Sequence, residues 1–202
     1  NILLTEFRRP FTRDFLLPSG RLREWKSAYR RADVIIVSKC PDDLHDDDRD
    51  KMLAEIKPFP HQQVSFSSYR YLRPYYALNM NYLVDLQEDM SVLLVSAIAN
   101  SDYLQDYLET RVGTVRVREY EDHHYFTEDD LTEIEQQFEQ MPGSKKIILT
   151  TEKDAMRREL HRGRLAQNRM PYFVLPVEVY FHGQDGQRFD KLVKEFLLNF
   201  KV

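Results

Sequence analysis

The chain has a single cysteine, Cys40, so no disulfide can form within it. That fits a reducing compartment. Glycine is scarce as well, with six in 202 residues, and none is set out as a phosphate-binding loop. Gly143-Ser144-Lys145 comes nearest, but it lacks the earlier glycine and the spacing such a loop needs. Long apolar runs are missing. The longest, 92–99, is broken by Ser96 and falls well short of the roughly 20 residues that span a bilayer. A large excess of one charge is absent too: the net charge of -4 argues against bulk nucleic-acid binding. The first residues do not read as a leader peptide. Asn1 to Thr5 reads instead as a buried strand with nothing before it, so a truncated piece of a longer chain is expected.

What is present suffices for a folded core, because 42% of the residues are apolar. The length allows one ordinary domain or two small ones. Ile2 to Phe7 is an expected strand, and Arg21 to Ala32 an expected helix with Leu22, Trp25 and Tyr29 on one face. Val34-Ile35-Ile36-Val37 suits a parallel strand covered on both sides. Six aspartates crowd positions 42–50 and are read as the solvated start of a helix, since they lack the alternation of a calcium loop. Val64, Phe66, Tyr69, Tyr71, Tyr75 and Tyr76 alternate with Ser and Arg up to Leu78, as in extended chain connecting two domains. Aromatic and basic residues together can also stack nucleobases, but strand packing explains them equally well.

The second part alternates more regularly. Strands are expected at 91–99, 114–120, 145–150 and 172–181, with helices at 101–110, 127–140 and from Glu152. The last helix has the best periodicity, with Phe189, Leu192, Val193, Phe196, Leu197 and Phe200 on one face. Such strand–helix alternation implies an α/β fold, a three-layer sandwich with a mostly parallel sheet.

Ligands of parallel sheets bind at the carboxyl ends of strands. Three strand-to-helix junctions are polar: Ala99-Asn100-Ser101, Asp122-His123-His124, and Thr150 to Asp154. Right-handed connections would bring them to one edge. Thr127 with Asp130, and Thr151 with Asp154, have capping-box spacing. At the second, helix capping and a phosphate site built from backbone N–H groups and Lys153 are both open readings. In the Asp122-His123-His124 loop a histidine could relay a proton with a carboxylate orienting it, or the loop could simply be hydrogen-bonded. A metal site there is disfavoured for want of a third spaced ligand. Arg8, Arg9, Arg13, Arg21, Arg23, Lys26, Arg30 and Arg31 are opposed only by Asp14 and Glu24. They make either a solvated face or a phosphate contact, for which the planar guanidinium is suited.

Four segments, in order, resemble those of one family, the tetraacyldisaccharide 4'-kinases. Leu16 to Glu24 (LLPSGRLRE) is similar to its LLPAGPLRE signature, and Ile98-Ala99-Asn100 to its GIANP segment, with Ser101-Asp102 in place of Pro-Glu. Asp122 to Phe126 followed by Asp129-Asp130-Leu131 resembles DHHxF…DL, and Thr150 to Ala155 resembles TTEKDA. The resemblance implies a P-loop-type kinase of lipid A biosynthesis that moves the γ-phosphate of ATP to the 4'-hydroxyl of a tetraacyl glucosamine disaccharide 1-phosphate. It implies Mg²⁺, no nucleic acid, and peripheral work at the cytoplasmic face of the inner membrane of Gram-negative bacteria. It implies two α/β/α domains joined by a two-stranded linker. Residues 1–62 would be the end of the nucleotide-binding domain, 63–90 the linker and 91–202 the C-terminal α/β domain. The phosphate loop, the metal carboxylates and the base aspartate would precede Asn1, so ATP and Mg²⁺ would be held mainly outside this chain.

Carried over residue by residue, the resemblance makes Arg23 a contact to the transferring phosphate and His123 a partner of the outside base, with Asp122 orienting it. Arg21, Asn100, His124, Thr151 and Lys153 would bind substrate or phosphate, and no metal ligand falls in the chain. The chain alone is expected to be inactive. A second expectation, of a different class, is a non-catalytic α/β module binding anionic phosphosugar or lipid through the arginine-rich segment.

Overall fold

The computed structural model describes residues 1–97, 101–122, 124–157, 162–168 and 170–200. The elements of its first half are β1 (Ile2–Glu6), β2 (Val34–Ser38), α1 (Asp46–Ile56), β3 (Gln63–Tyr71), β4 (Tyr75–Tyr76) and β5 (Asn79–Leu83). Then follow β6 (Ser91–Ser96), α2 (Asp102–Glu109), β7 (Thr114–Glu119), α3 (Glu128–Glu139), β8 (Lys146–Thr151) and α4 (Glu152–Arg157). The last are α5 (Arg162–Asn168), β9 (Tyr172–Leu175), β10 (Val177–Phe181) and α6 (Asp185–Asn199). They divide into two compact units, one of Asn1–Arg70 with the segment from Glu178, the other Tyr71–Val177. Among the described residues no helix is long and apolar enough to cross a membrane.

The first unit is built on a sheet of order β1-β2-β3-β10, in which β1, β2 and β3 run parallel. Val34 to Val37 are all buried, as the unbroken apolar run requires. Ile35, Val37 and Phe66 form one core with Met52 and Ile56 of α1. Asp46, Asp47 and Asp48 occupy the first turn of α1, where carboxylates oppose the positive end of the helix dipole. Cys40 is buried, and burial pushes its thiol up to about 11, which leaves little reactive thiolate.

His182 joins β3 through a short relay in this unit. Ser68 Oγ donates to Cys40 O (2.7 Å), so the 2.6 Å contact to His182 must be donated by Nε2–H. Burial lowers the His182 pKa, and nearby Arg49 adds to this. The folded state therefore resists a proton that the unfolded chain accepts. The stability from neutral His182 is full above the ordinary histidine range and is lost as pH falls through it. Urea unfolding at pH 7.5 and 5.5 should show a loss at the lower pH that His182→Gln reduces. An equal loss in the variant would discard this account.

The second unit has a sheet of order β5-β4-β9-β8-β6-β7, parallel from β9 to β7 and antiparallel at β4 and β5. β6, between β8 and β7, is buried along its whole length. Alternation sends Leu93 and Val95 to one face, against Leu131, Ile134 and Phe138 of α3. Val92 and Leu94 go to the other, against Leu104 and Leu108 of α2. Helices on both faces make this an α/β/α sandwich, as expected from the strand–helix alternation. Each fully buried aliphatic side chain here contributes roughly 1.5–3 kcal/mol.

Three local expectations are corrected. The helix over 21–32 is only a 3₁₀ segment, Lys26–Arg31, with Trp25 extended and exposed. Leu22 is instead bound into a closed loop, with Leu22 N donating to Phe15 O and Leu17 N to Leu22 O. Among the described strands β1 lies at the edge of its sheet, and its Ile2 and Leu4 are exposed rather than buried. The strand expected over 172–181 is two strands in different sheets, separated at Pro176, which has no N–H for a ladder. The segment from Glu178 groups with the first unit. The last helix is present as expected, as α6, with its apolar stripe half-buried at Phe189, Leu192 and Val193 and exposed at Phe196, Leu197 and Phe200. Phe189 stacks on Phe181 with ring centroids 5.2 Å apart.

Candidate functional site

Because β7, β6 and β8 are parallel neighbours, their carboxyl ends share one edge of the second unit. Side chains tie the junctions together there. Asp154 is fully buried at the start of α4, and its Oδ2 accepts from Ala97 N (3.1 Å) after β6. The same oxygen accepts from Thr151 Oγ1 (2.9 Å), while Asp154 N donates back to Thr151 Oγ1 (3.2 Å). The capping reading of Thr151 and Asp154 therefore has its geometry, and Asp154 also holds the end of β6. Lys153, about half exposed, reaches Asp122 Oδ1 at 3.2 Å and so links the ends of β8 and β7. Ser101 donates to Glu119, joining the start of α2 to the last residue of β7.

The loop after β7 is braced from within. His124 N donates to Glu121 O (3.0 Å), and His124 Nε2 lies 2.9 Å from Asp130 Oδ2. Thr127 and Asp130 form a reciprocal capping box at the start of α3. Burial pulls the Asp130 pKa upward, but hydrogen bonds from Thr127 N–H, His124 and the Thr127 hydroxyl outweigh it and leave the carboxyl below its ordinary value. The carboxylate oriented toward a described histidine is thus Asp130, whereas Asp122 meets Lys153. The DL spacing was visible in the sequence as a cap; its second role needs the loop geometry. His123 and Asn100 lie outside the described residues.

In the first unit, Arg21 and Arg23 are both exposed. They close a loop organised by a residue that was read only as a counter-charge. Asp14 Oδ1 accepts from Phe15 N (2.8 Å) and Arg21 N (3.2 Å), and these backbone hydrogen bonds hold its carboxyl below the ordinary value. Gly20 is required inside this loop, since a Cβ there would sit 2.2 Å from Phe15 O. Arg23 lines a cleft of about 440 Å³ with Phe11, Leu22, Trp25 and Tyr29. Lys26, Arg31 and Glu24 line it too, with Arg31 paired to Glu24 at 2.5 Å. That volume falls in the range of small-ligand sites, and apolar side chains beside Arg23 and Lys26 suit an anionic group carrying an organic body. The expected site residues therefore fall into two groups: Arg21 and Arg23 in the first unit, and Asp122, His124, Thr151 and Lys153 in the second. Among the described residues no cluster of three His, Cys, Asp or Glu side chains could hold a metal ion.

Comparison with known proteins gives a consistent picture. The family model described as tetraacyldisaccharide-1-P 4'-kinase matches residues 1–197. A tetraacyldisaccharide 4'-kinase of Bacteroides fragilis strain YCH46 is 37% identical over 186 residues, covering 89% of this chain and 49% of that protein. One from Bacteroides thetaiotaomicron is 32% identical over 202 residues, covering 95% of this chain and 53% of that protein. The chain thus spans about half the length of the curated relatives it matches. Among solved structures, an "apo" form of LpxK from Aquifex aeolicus in complex with ATP matches with a TM-score of 0.57 at 18% identity, over 96% of this chain and 51% of that one. At that identity the likeness speaks for the fold.

Proposed function

The chain belongs to the tetraacyldisaccharide-1-P 4'-kinase family, and on that premise we propose that the complete protein phosphorylates the 4'-hydroxyl of a tetraacyl disaccharide 1-phosphate in lipid A biosynthesis. One observation carries the reading: the family match runs over residues 1–197, so it takes in both the Arg21–Arg23 segment and the loop containing His123. ATP supplies the phosphoryl group and Mg²⁺ offsets its charge, both held mainly by residues outside this chain.

Within the chain, the parts divide by charge. Phosphoryl transfer depends chiefly on positioning and on stabilising charge at the moving group. Arg23, exposed beside a cleft in the first unit, is suited to that charge, with Arg21 two residues away in the same closed loop. In the second unit His123 assists the outside base in taking the hydroxyl proton. Lys153 and Thr151 shape the edge and favour an anionic group, and Asp122 keeps Lys153 at that edge. The protein works peripherally at the cytoplasmic face of the inner membrane, where its acylated acceptor resides.

The test is direct. The complete protein, given γ-labelled ATP, Mg²⁺ and tetraacyl disaccharide 1-phosphate, should yield a labelled bisphosphate, while the 202-residue chain alone should yield none. Arg23→Ala in the complete protein should lower kcat/KM by about 100-fold, the scale of losing one charge-stabilising donor. Salt-sensitive binding of the acceptor with no transfer by the complete protein would favour the non-catalytic module instead.

A further inference from the structure

One carboxylate holds the loop between β7 and α3. Asp130 Oδ2 lies 2.7 Å from Thr127 N, 2.8 Å from Thr127 Oγ1 and 2.9 Å from His124 Nε2. The first two contacts belong to the capping box and serve the helix start. The third does not. An ionised carboxylate only accepts hydrogen bonds, so the His124 nitrogen facing it carries a hydrogen, and Nδ1 is left as the acceptor of the neutral ring.

The ring is held on its faces as well as at its nitrogen. His124 stacks on Tyr120 at 4.7 Å with an interplanar angle of 20°. Phe126 meets both rings edge-on, at 5.3 Å from His124 and 5.0 Å from Tyr120. Yet the His124 side chain stays 30% exposed. A helix cap needs none of these contacts, and a mere packing residue would have no need of a committed tautomer at a partly open position. The loop stands at the carboxyl edge of a parallel sheet, where ligands of such sheets bind.

We propose that Asp130 is a positioning residue for the transfer reaction: it holds His124 so that Nδ1 accepts a hydrogen bond from a hydroxyl of the acceptor sugar. No bond is made or broken at His124; it orients the sugar. The inference rests on the kinase reading above and names the group that the edge recognises.

The experiment compares the complete wild-type protein with Asp130→Asn and Thr127→Ala, measuring KM separately for ATP and for the acceptor disaccharide. Side-chain ¹⁵N NMR reports the His124 tautomer. The amide introduced by Asp130→Asn would keep an acceptor for the cap but lose the charge that commits His124. The expected result is a rise of at least about fivefold in acceptor KM, an unchanged ATP KM, and loss of the single Nε2–H signature. Thr127→Ala removes the cap hydroxyl but keeps the Asp130 charge and the Thr127 N–H that holds it facing His124, so it should lower the melting temperature and leave both KM values in place. If Asp130→Asn does not fold, His124→Gln takes its place and should raise the acceptor KM alone. An acceptor KM within twofold of wild type, or an equal rise in Thr127→Ala, overturns the proposal while the kinase reading stands. A wild-type protein without kinase activity removes that reading and the proposal with it, even with the tautomer signature intact.

Discussion

Replacing His123 with Ala in the complete protein is expected to cut turnover by about 100-fold or more, with the KM for ATP little changed. Proton transfer by a positioned side chain is worth about 10²–10⁴ in rate. The neighbours of His123 are already engaged. Asp122 is paired with Lys153, and His124 with Asp130, whose carboxylate also caps α3. A residue acting only on the reacting hydroxyl lowers kcat and kcat/KM together, whereas one that merely holds substrate raises KM. Steady-state phosphorylation of the acceptor, run beside a thermal melt to confirm folding, separates the two. Turnover within about threefold of wild type would take His123 out of the mechanism.

Asp185→Ala should be the most damaging single change to the fold of the first unit. Asp185 is 2% exposed, and its Oδ2 accepts from Arg49 at 2.8 Å and from Phe66 N at 2.9 Å. Arg49 also lies over the Phe66 ring, 4.4 Å from its centroid. Removing the carboxylate strands a guanidinium that is only a quarter exposed, together with a buried backbone N–H. Breaking a buried pair costs about 3–5 kcal/mol; the lower end applies because Arg49 keeps some water. About 3 kcal/mol corresponds to a fall of roughly 6–12 °C in Tm for a chain of this size. Asp185→Asn, which can still accept from Phe66 N, should lose less. If Arg49→Met is made as well, the second loss should be smaller than the first, because the stranded charge is gone. A melting temperature unchanged in Asp185→Ala would show that the contact contributes nothing net.

The sequence by itself determined the features whose cause lies within a few residues or in a simple period. The buried run Val34 to Val37 could only suit a strand covered on both faces, and it became the central parallel strand β2. The alternation at Ser91 to Ser96 divided β6 between two cores. Thr127 and Asp130, three positions apart, closed a capping box, and the acidic run 42–50 began a helix. The family segments were legible for the same reason, each being a short contiguous string.

Tertiary structure decided what depends on partners distant along the chain. Asp185 meets Arg49, 136 residues away, and nothing in the local pattern around either announces the pair. Periodicity foretold α6 but not which of its apolar residues would find a neighbour: Phe189 meets Phe181, while Phe196 and Phe200 stay exposed. The apolar residues of 21–32 have helical spacing, yet backbone hydrogen bonds drew Leu22 into a loop first. At the loop after β7, the sequence offered Asp122 as the carboxylate next to the histidines. Folding also brought Lys153 to Asp122 and turned Asp130 toward His124. Sequence spacing names the groups that could pair, but a hydrogen bond forms only where the backbone brings donor and acceptor within about 3 Å.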